Sequence, residues 1–243
     1  MITAVDAGLA WEPHLSGGSK ARVLAVFSKA TYLQLDTDVV AIVTTDVPRG
    51  PLHLRVHQLP PLETGQSFFL EPIIAQASTD AFGSGSPCCW APGRVDGNAL
   101  LRSRPGLPSA DASALAGSAA VRRASQALNG HDLAGAVSHV AGLGPGLTPS
   151  GDDVLAGILV VGALTERFSP SELRAAANTA RTHDISRSFL RWAASGHSIE
   201  PVHDLLLALA AGRPTDDAEQ AVIAIGATSG HDLLLGLRLA LSQ

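Results

Sequence analysis

Lysine occurs only at Lys20 and Lys29, and nowhere in the 243 residues is there a run of Lys or Arg. With a formal net charge of −5, the chain lacks the clustered cations that phosphate backbones require, which excludes a nucleic-acid-binding surface. Cysteine is confined to the neighbours Cys88 and Cys89, which form neither a disulfide framework nor a zinc-ligand spacing. That usage fits a reducing, cytoplasmic setting. The longest apolar run, residues 154–164, is too short to span a bilayer, and "MITAVDAGLAWEPHL" has no basic segment followed by an apolar one, so no secretory signal or membrane is expected.

What is present is ample apolar material, 46% of the residues against 16% charged, enough for one large domain or two modest ones. From Lys20 to Ile74 the stretches "ARVLAVFS", "ATYLQL", "VVAIVTT", "LHLRVHQL" and "SFFLEPII" read as short strands separated by turn residues, predicting an antiparallel sheet or small barrel. Residues 83–108, rich in Gly, Pro and Ser, read as an irregular crossing. The expected domains are a β-rich 1–106 and a helical 107–243. About eight helices are expected in the second, with stops at Asn129 and Gly130, Gly142, Gly196, Gly212 and Gly226. Ser169, Pro170 and Glu172 spell a capped helix start, and the run after Asp153, apolar on every side, predicts a helix at the centre of a bundle. The fold class is α+β.

The stretch "LGPGLTPSGDD", residues 143–153, leads into that central helix. Gly142, Gly144 and Gly146 free the backbone for left-handed conformations in which successive N–H groups form an anion-attracting nest ahead of a helix N-terminus. Ser150 reads as the N-cap with Asp153 closing a capping box, which needs no ligand at all. Asp152 is then left over: a second carboxylate beside the first calls for a metal cation, an amide NH₂ or an ammonium group. The sequence establishes no cofactor; Asp152 and Asp153 would be the ligands of any metal, with Mg²⁺ as one candidate.

The string "SGDDVLAG" (150–157) recurs as "SGHDLLLG" (229–236), identical at five of eight positions. On that alignment Ser229 and Asp232 repeat the capping pair while His231 replaces Asp152, so an internal two-fold would bring Asp152 and His231 to one cavity. Catalytic candidates are therefore Asp152, His231 and Asp153. Candidate binding residues are Gly144, Gly146, Thr148, Ser150, Gly151, Thr228, Ser229 and Gly230. The other His-Asp neighbours, at 131–132, 183–184 and 203–204, read as helix starts and surface residues. "SGGSK" (16–20) lacks Walker-loop spacing, no G-x-S-x-G elbow exists, and Cys88 and Cys89 beside Trp90 read as packing residues.

"GLGPGLTPSGDDVLAG" (142–157), "HDISRSFLRWAASGH" (183–197) and "IGATSGHDLLLGL" (225–237) together resemble the AllH-like family, to whose N-terminal half "VFSKATYLQL" and the "RGP" turn are loosely similar. That family includes a subunit assigned to oxamate carbamoyltransferase, which acts in anaerobic allantoin breakdown. The resemblance implies phosphorolysis of oxalurate to oxamate and carbamoyl phosphate, or the reverse, with partner subunits. It implies that the N–H groups of Gly144, Gly146 and Gly151 hold the anionic end of the substrate. Asp152 would take the carbamoyl NH₂ or a cation, and Thr228, Ser229 and His231 would orient substrate or move protons. The chain has no Ser-Thr-Arg-Thr loop of the aspartate and ornithine carbamoyltransferase type. A non-catalytic scaffold subunit and a sensor of a small carboxylate are the alternative readings.

Overall fold

The β-branched and the helix-forming stretches fold as two units, Met1–Ala91 and Pro92–Gln243, in a computed structural model that describes residues 2–75, 88–103 and 112–243. The boundary expected near residue 106 lies outside the described residues.

In the first unit, strands β1 (Ile2–Ala4), β2 (Asp6–Gly8), β3 (Lys20–Val26), β4 (Ala30–Leu35), β5 (Asp38–Thr44), β6 (His53–Val56), β7 (Ser67–Phe69), β8 (Ile73–Ala75) and β9 (Cys89–Trp90) form two sheets. The larger is an open sheet of order β7-β3-β4-β5-β6-β2-β9; β1 and β8 pair separately. Strand β4 alternates in burial, Thr31, Leu33 and Leu35 inward, as a pleated strand with one wet face must. Strand β5 sits between two neighbours and buries Val39–Val43 without alternation.

The sheet is mixed, where an antiparallel sheet or barrel was expected. β5 runs parallel to β6, β2 to β9 and β1 to β8. Residues 45–52 hold the turn residues expected between two antiparallel strands, but the segment doubles back against β2: a Cβ on Gly8 would lie 2.1 Å from the Gly50 carbonyl. Buried Trp11 fixes the same link by donating its indole N–H to the Leu52 carbonyl at 2.9 Å. "SFFLEPII" is split into β7 and β8, and β9 and a first helix lie within the predicted irregular crossing.

The second unit holds nine helices among the described residues: α1 (Gly97–Arg102), α2 (Ala119–Asn129), α3 (Leu133–Val140), α4 (Ser150–Leu164), α5 (Pro170–Thr179), α6 (Asp184–Ala193), α7 (Glu200–Ala210), α8 (Asp216–Ile223) and α9 (Ser229–Leu241). The expected stops hold, and Ser169 and Glu172 form the complete capping box at the start of α5. Helix α4 is the buried core helix, with Val154, Leu155, Ile158, Leu159 and Val160 fully enclosed. It packs against α3, α5, α6 and, most extensively, α9.

The repeated string explains that packing. Its eighth residue is Gly157 in α4 and Gly236 in α9, and the two backbones touch there. A Cβ on Gly236 would stand 2.0 Å from the Val154 carbonyl and 3.0 Å from the Gly157 Cα, and one on Gly157 would stand 2.5 Å from the Leu233 carbonyl. The second residue, Gly151 or Gly230, admits the end of the preceding helix: added Cβ atoms would meet the Val140 carbonyl at 1.8 Å and the Val222 carbonyl at 2.0 Å. The recurrence is thus a recurring structure, a short helix, a glycine turn and a long helix, with α4 and α9 running side by side from one shared end.

Gly236→Ala therefore forces the helices apart and is expected to cost roughly 3 kcal/mol or more, at or beyond the upper end of ordinary overpacking. Gly146→Ala meets no atom and carries only the cost of its positive φ, about 1–2 kcal/mol. Urea midpoints of the two variants check the ranking.

Candidate functional site

The glycine turn between α3 and α4 is held by Asp152. Gly142, Gly144 and Gly146 take φ of +74°, +108° and +93°, values that side chains resist. Asp152 is 1% exposed, and its Oδ1 accepts the Gly142 N–H at 2.7 Å. Its Oδ2 accepts the Ser186 hydroxyl at 2.7 Å and the Thr182 hydroxyl. Three donors from the turn, the α5–α6 link and α6 thus converge on one carboxylate. Asp152 is an anchor of the turn, enclosed by its own donors.

The capping expectation is corrected. Pro149 occupies the N-cap of α4 and Thr228 that of α9, and no side chain caps either helix; Ser150 and Ser229 are the first helical residues. A carbonyl of the doubled-back turn takes over at the second residue of each helix, and ordinary helical bonds follow it. Gly151 N–H donates to Leu143, and the N–H groups of Asp152 and Asp153 donate to Pro149. In α9, Gly230 N–H donates to Ile225 and Asp232 N–H to Thr228. The Gly151 N–H is therefore committed inside the fold, whereas residues 143–146 lie exposed, Gly144 and Gly146 among them. Thr228 is exposed, and Thr148, Ser150 and Ser229 are partly buried.

Asp153 and Asp232 share a different fate. Each precedes a seam glycine by four residues, one helical turn, and so stands on the contact face of its helix. At the shared end of α4 and α9 the Asp153 carboxyl lies near enough to Asp232 to feel its charge. The Ser113 hydroxyl donates to Asp232 Oδ1 at 2.5 Å, and the Ser229 side chain lies near enough to Asp153 to favour its charged form. The remaining Oδ2 of each is shut off from solvent without a hydrogen-bond partner among the described residues. Asp232 is wholly buried; Asp153 is partly exposed as a residue, with its carboxyl end enclosed. Burial, reinforced by the charges of Asp232 and Asp152 and opposed by the Ser229 hydroxyl, pushes the Asp153 carboxyl up to about 8. At neutral pH Asp153 keeps its proton. His231, partly buried beside them, also has an enclosed ring nitrogen, Nδ1, without a partner among the described residues.

Among the described residues no group of three or more His, Cys, Asp and Glu side chains is placed to hold a metal ion. Cys89 is pushed up by burial, as for a packing thiol. No helix among the described residues is long and apolar enough to cross a membrane.

Residues 140–241 match the family described as oxamate carbamoyltransferase subunit AllH. Over this stretch the chain is AllH-like. The AllH-like segment opens on the last residue of α3 and closes on the last of α9, so both glycine turns, the seam and the Asp153–Asp232 pair lie inside it. Ser113 lies outside. No solved structure matches the chain.

Sequence reasoning assigned the fourth position of the repeat to capping and the third to chemistry. The shared fourth position, four residues before a shared glycine, was the readable signal for the pair. Nothing in sequence marks Ser113, Thr182 or Ser186 as partners.

Two outcomes follow. A carboxyl whose folded pKa is about 8, against about 3.9 unfolded, binds its proton more tightly when folded, so its contribution to stability is full below pH 4 and is lost as pH rises toward 8. Asp153→Asn mimics the neutral acid and should flatten that fall, by at most about 1.4 kcal/mol per pH unit, in unfolding curves taken from pH 4.5 to 8.5. Asp152→Ala strands three donors and should cost at least about 3 kcal/mol at pH 7.

Proposed function

We propose that the chain is a subunit of an oxamate carbamoyltransferase-type enzyme whose reacting groups lie at the shared end of α4 and α9. The observation that carries this is that the AllH-like segment spans both glycine turns and the acid pair between them. The word "subunit" in the family's description supports assembly with further chains.

The chemistry asked of such a site is modest. A phosphate oxygen bonds to the carbamoyl carbon of oxalurate, the bond from that carbon to the oxamate nitrogen breaks, and the nitrogen needs a proton to leave. A carboxylic acid that is neutral near pH 7 and lies near a second carboxyl is suited to supply that proton and to recover it in the reverse direction. Asp153 is the donor in this reading, and Asp232 and His231 take up the balance of charge. The exposed turn at Gly144 and Gly146 presents backbone N–H groups to the anionic end of the substrate.

The scaffold reading has one observation in its favour: Asp152 and the Gly151 N–H, which the resemblance implicates in substrate binding, are committed within the fold. The experiment that separates the two is an assay of carbamoyl phosphate formation from oxalurate and phosphate by the chain assembled with its partner subunits. A catalytic role predicts that Asp153→Asn lowers kcat by roughly 100-fold or more with little change in KM. Full turnover by an assembly carrying Asp153→Asn and Asp232→Asn together would leave only the scaffold.

A further inference from the structure

Helix α4 is about 22 Å long at 1.5 Å per residue, and at its other end, remote from the acid pair, lies a cleft of about 660 Å³. Three segments of the second unit line it: residues 92–98, residues 163–166, and 195–197 together with His203. Its volume lies within the range of small-molecule sites.

The cleft is rich in acceptors. The C-terminal end of α4 brings the negative pole of a fifteen-residue helix to it. Gly97 closes against that end so tightly that a Cβ there would stand 2.0 Å from the Leu164 carbonyl. Asp96 and Glu166 add two carboxylates to the lining, Glu166 held at a φ of +53° just past the helix end. His197, packed edge-on against Trp192 with ring centroids 5.5 Å apart, has its Nδ1 enclosed and without a hydrogen-bond partner among the described residues. His197 is thus a polar group of the cleft wall that the described residues leave unsatisfied. His203 adds no positive charge at neutral pH: burial, and next to it the charge of His197, push it down to about 4, and its Nε2 accepts the Ser198 N–H at 2.9 Å.

Against this set stands one cation. Arg94 is exposed at the cleft and makes no hydrogen bond or ion pair with the described residues. A guanidinium offers a fork to a carboxylate.

We propose that this cleft binds a small molecule bearing both a carboxylate and an ammonium group, the carboxylate on Arg94 and the ammonium at the acceptor-rich end made by the α4 C-terminus, Glu166, Asp96 and His197. One cation without a partner among the described residues, in a lining otherwise rich in acceptors, selects a dipolar ligand over a simple anion, which the carboxylates repel, and over a simple amine, which leaves Arg94 unmatched. The site is separate from the acid pair and does not depend on the carbamoyl-transfer reading.

The test is a titration of the full chain, followed by ¹H–¹⁵N spectra, with glycine, β-alanine and 4-aminobutyrate as probes, and with propionate and ethylammonium as single-charge controls. The expected result is a saturable shift of the Gly97 and Glu166 amides with at least one amino acid, weakened tenfold or more by Arg94→Ala and by Glu166→Gln. Arg94 is exposed and makes no hydrogen bond or ion pair with the described residues, and an unchanged thermal midpoint of Arg94→Ala shows that the variant reads binding alone. Absence of a shift with all three amino acids, an unchanged response in Arg94→Ala, or equal binding of either control would overturn the proposal.

Discussion

The backbone contact between Gly157 and Gly236 is the constraint on which the second unit depends. Where two helices approach until one Cα stands against the other's backbone, their rotation and register are fixed, because no side chain remains to act as a flexible spacer. Everything one turn toward the N-terminal end is fixed with them. Asp153 and Asp232 come to the same end of the helix pair because the glycines meet, and the two glycine turns are brought there for the same reason.

That end concentrates three acidic side chains in the first turns of two adjacent helices. The N-terminal poles of both helices favour negative charge there, which lessens the repulsion without removing it. The three carboxyls then divide according to what surrounds them. Asp152 receives three donors and serves as the anchor of a turn whose positive φ angles need holding. Among the described residues Asp232 takes one hydroxyl, from Ser113, and Asp153 is favoured in its charged form only by the Ser229 side chain. With too few donors for two charges in an enclosed seam, the proton stays on Asp153. The same shortage that makes the pair costly to bury leaves Asp153 a carboxyl that is neutral at pH 7 and so able to donate a proton, which is what the proposed function asks of it.

Much of this was legible in the sequence where local rules act alone. Period-two alternation gave β4, the Ser-Pro-Ser-Glu start gave α5, and the all-round apolar run gave the buried α4. The repeat pointed to the right pair of helices. What failed were inferences that depend on where a chain goes after a turn. Residues 45–52 carry turn residues yet cross back, so β6 lies parallel to β5. Ser150 has the identity of an N-cap, but the turn doubles back and its own carbonyls satisfy the first N–H groups, leaving the serine no such role. With capping removed, the assignment of Asp153 to structure and Asp152 to chemistry loses its basis. The donors that decide the matter, Thr182, Ser186 and Ser113, lie 30, 34 and 119 residues from the carboxylates they serve, beyond any local signal.

The account's central claim is that Asp153 and Asp232 form one interacting unit across the helix seam. A double-mutant cycle measures this most directly, with Asp153→Asn, Asp232→Asn and the double variant compared by urea unfolding at pH 7. Interacting carboxyls predict a coupling of about 1 kcal/mol or more, because each single change alters the charge and donor balance of the other residue. Additivity within about 0.5 kcal/mol would mean that the two side chains do not sense each other, and would contradict the claim.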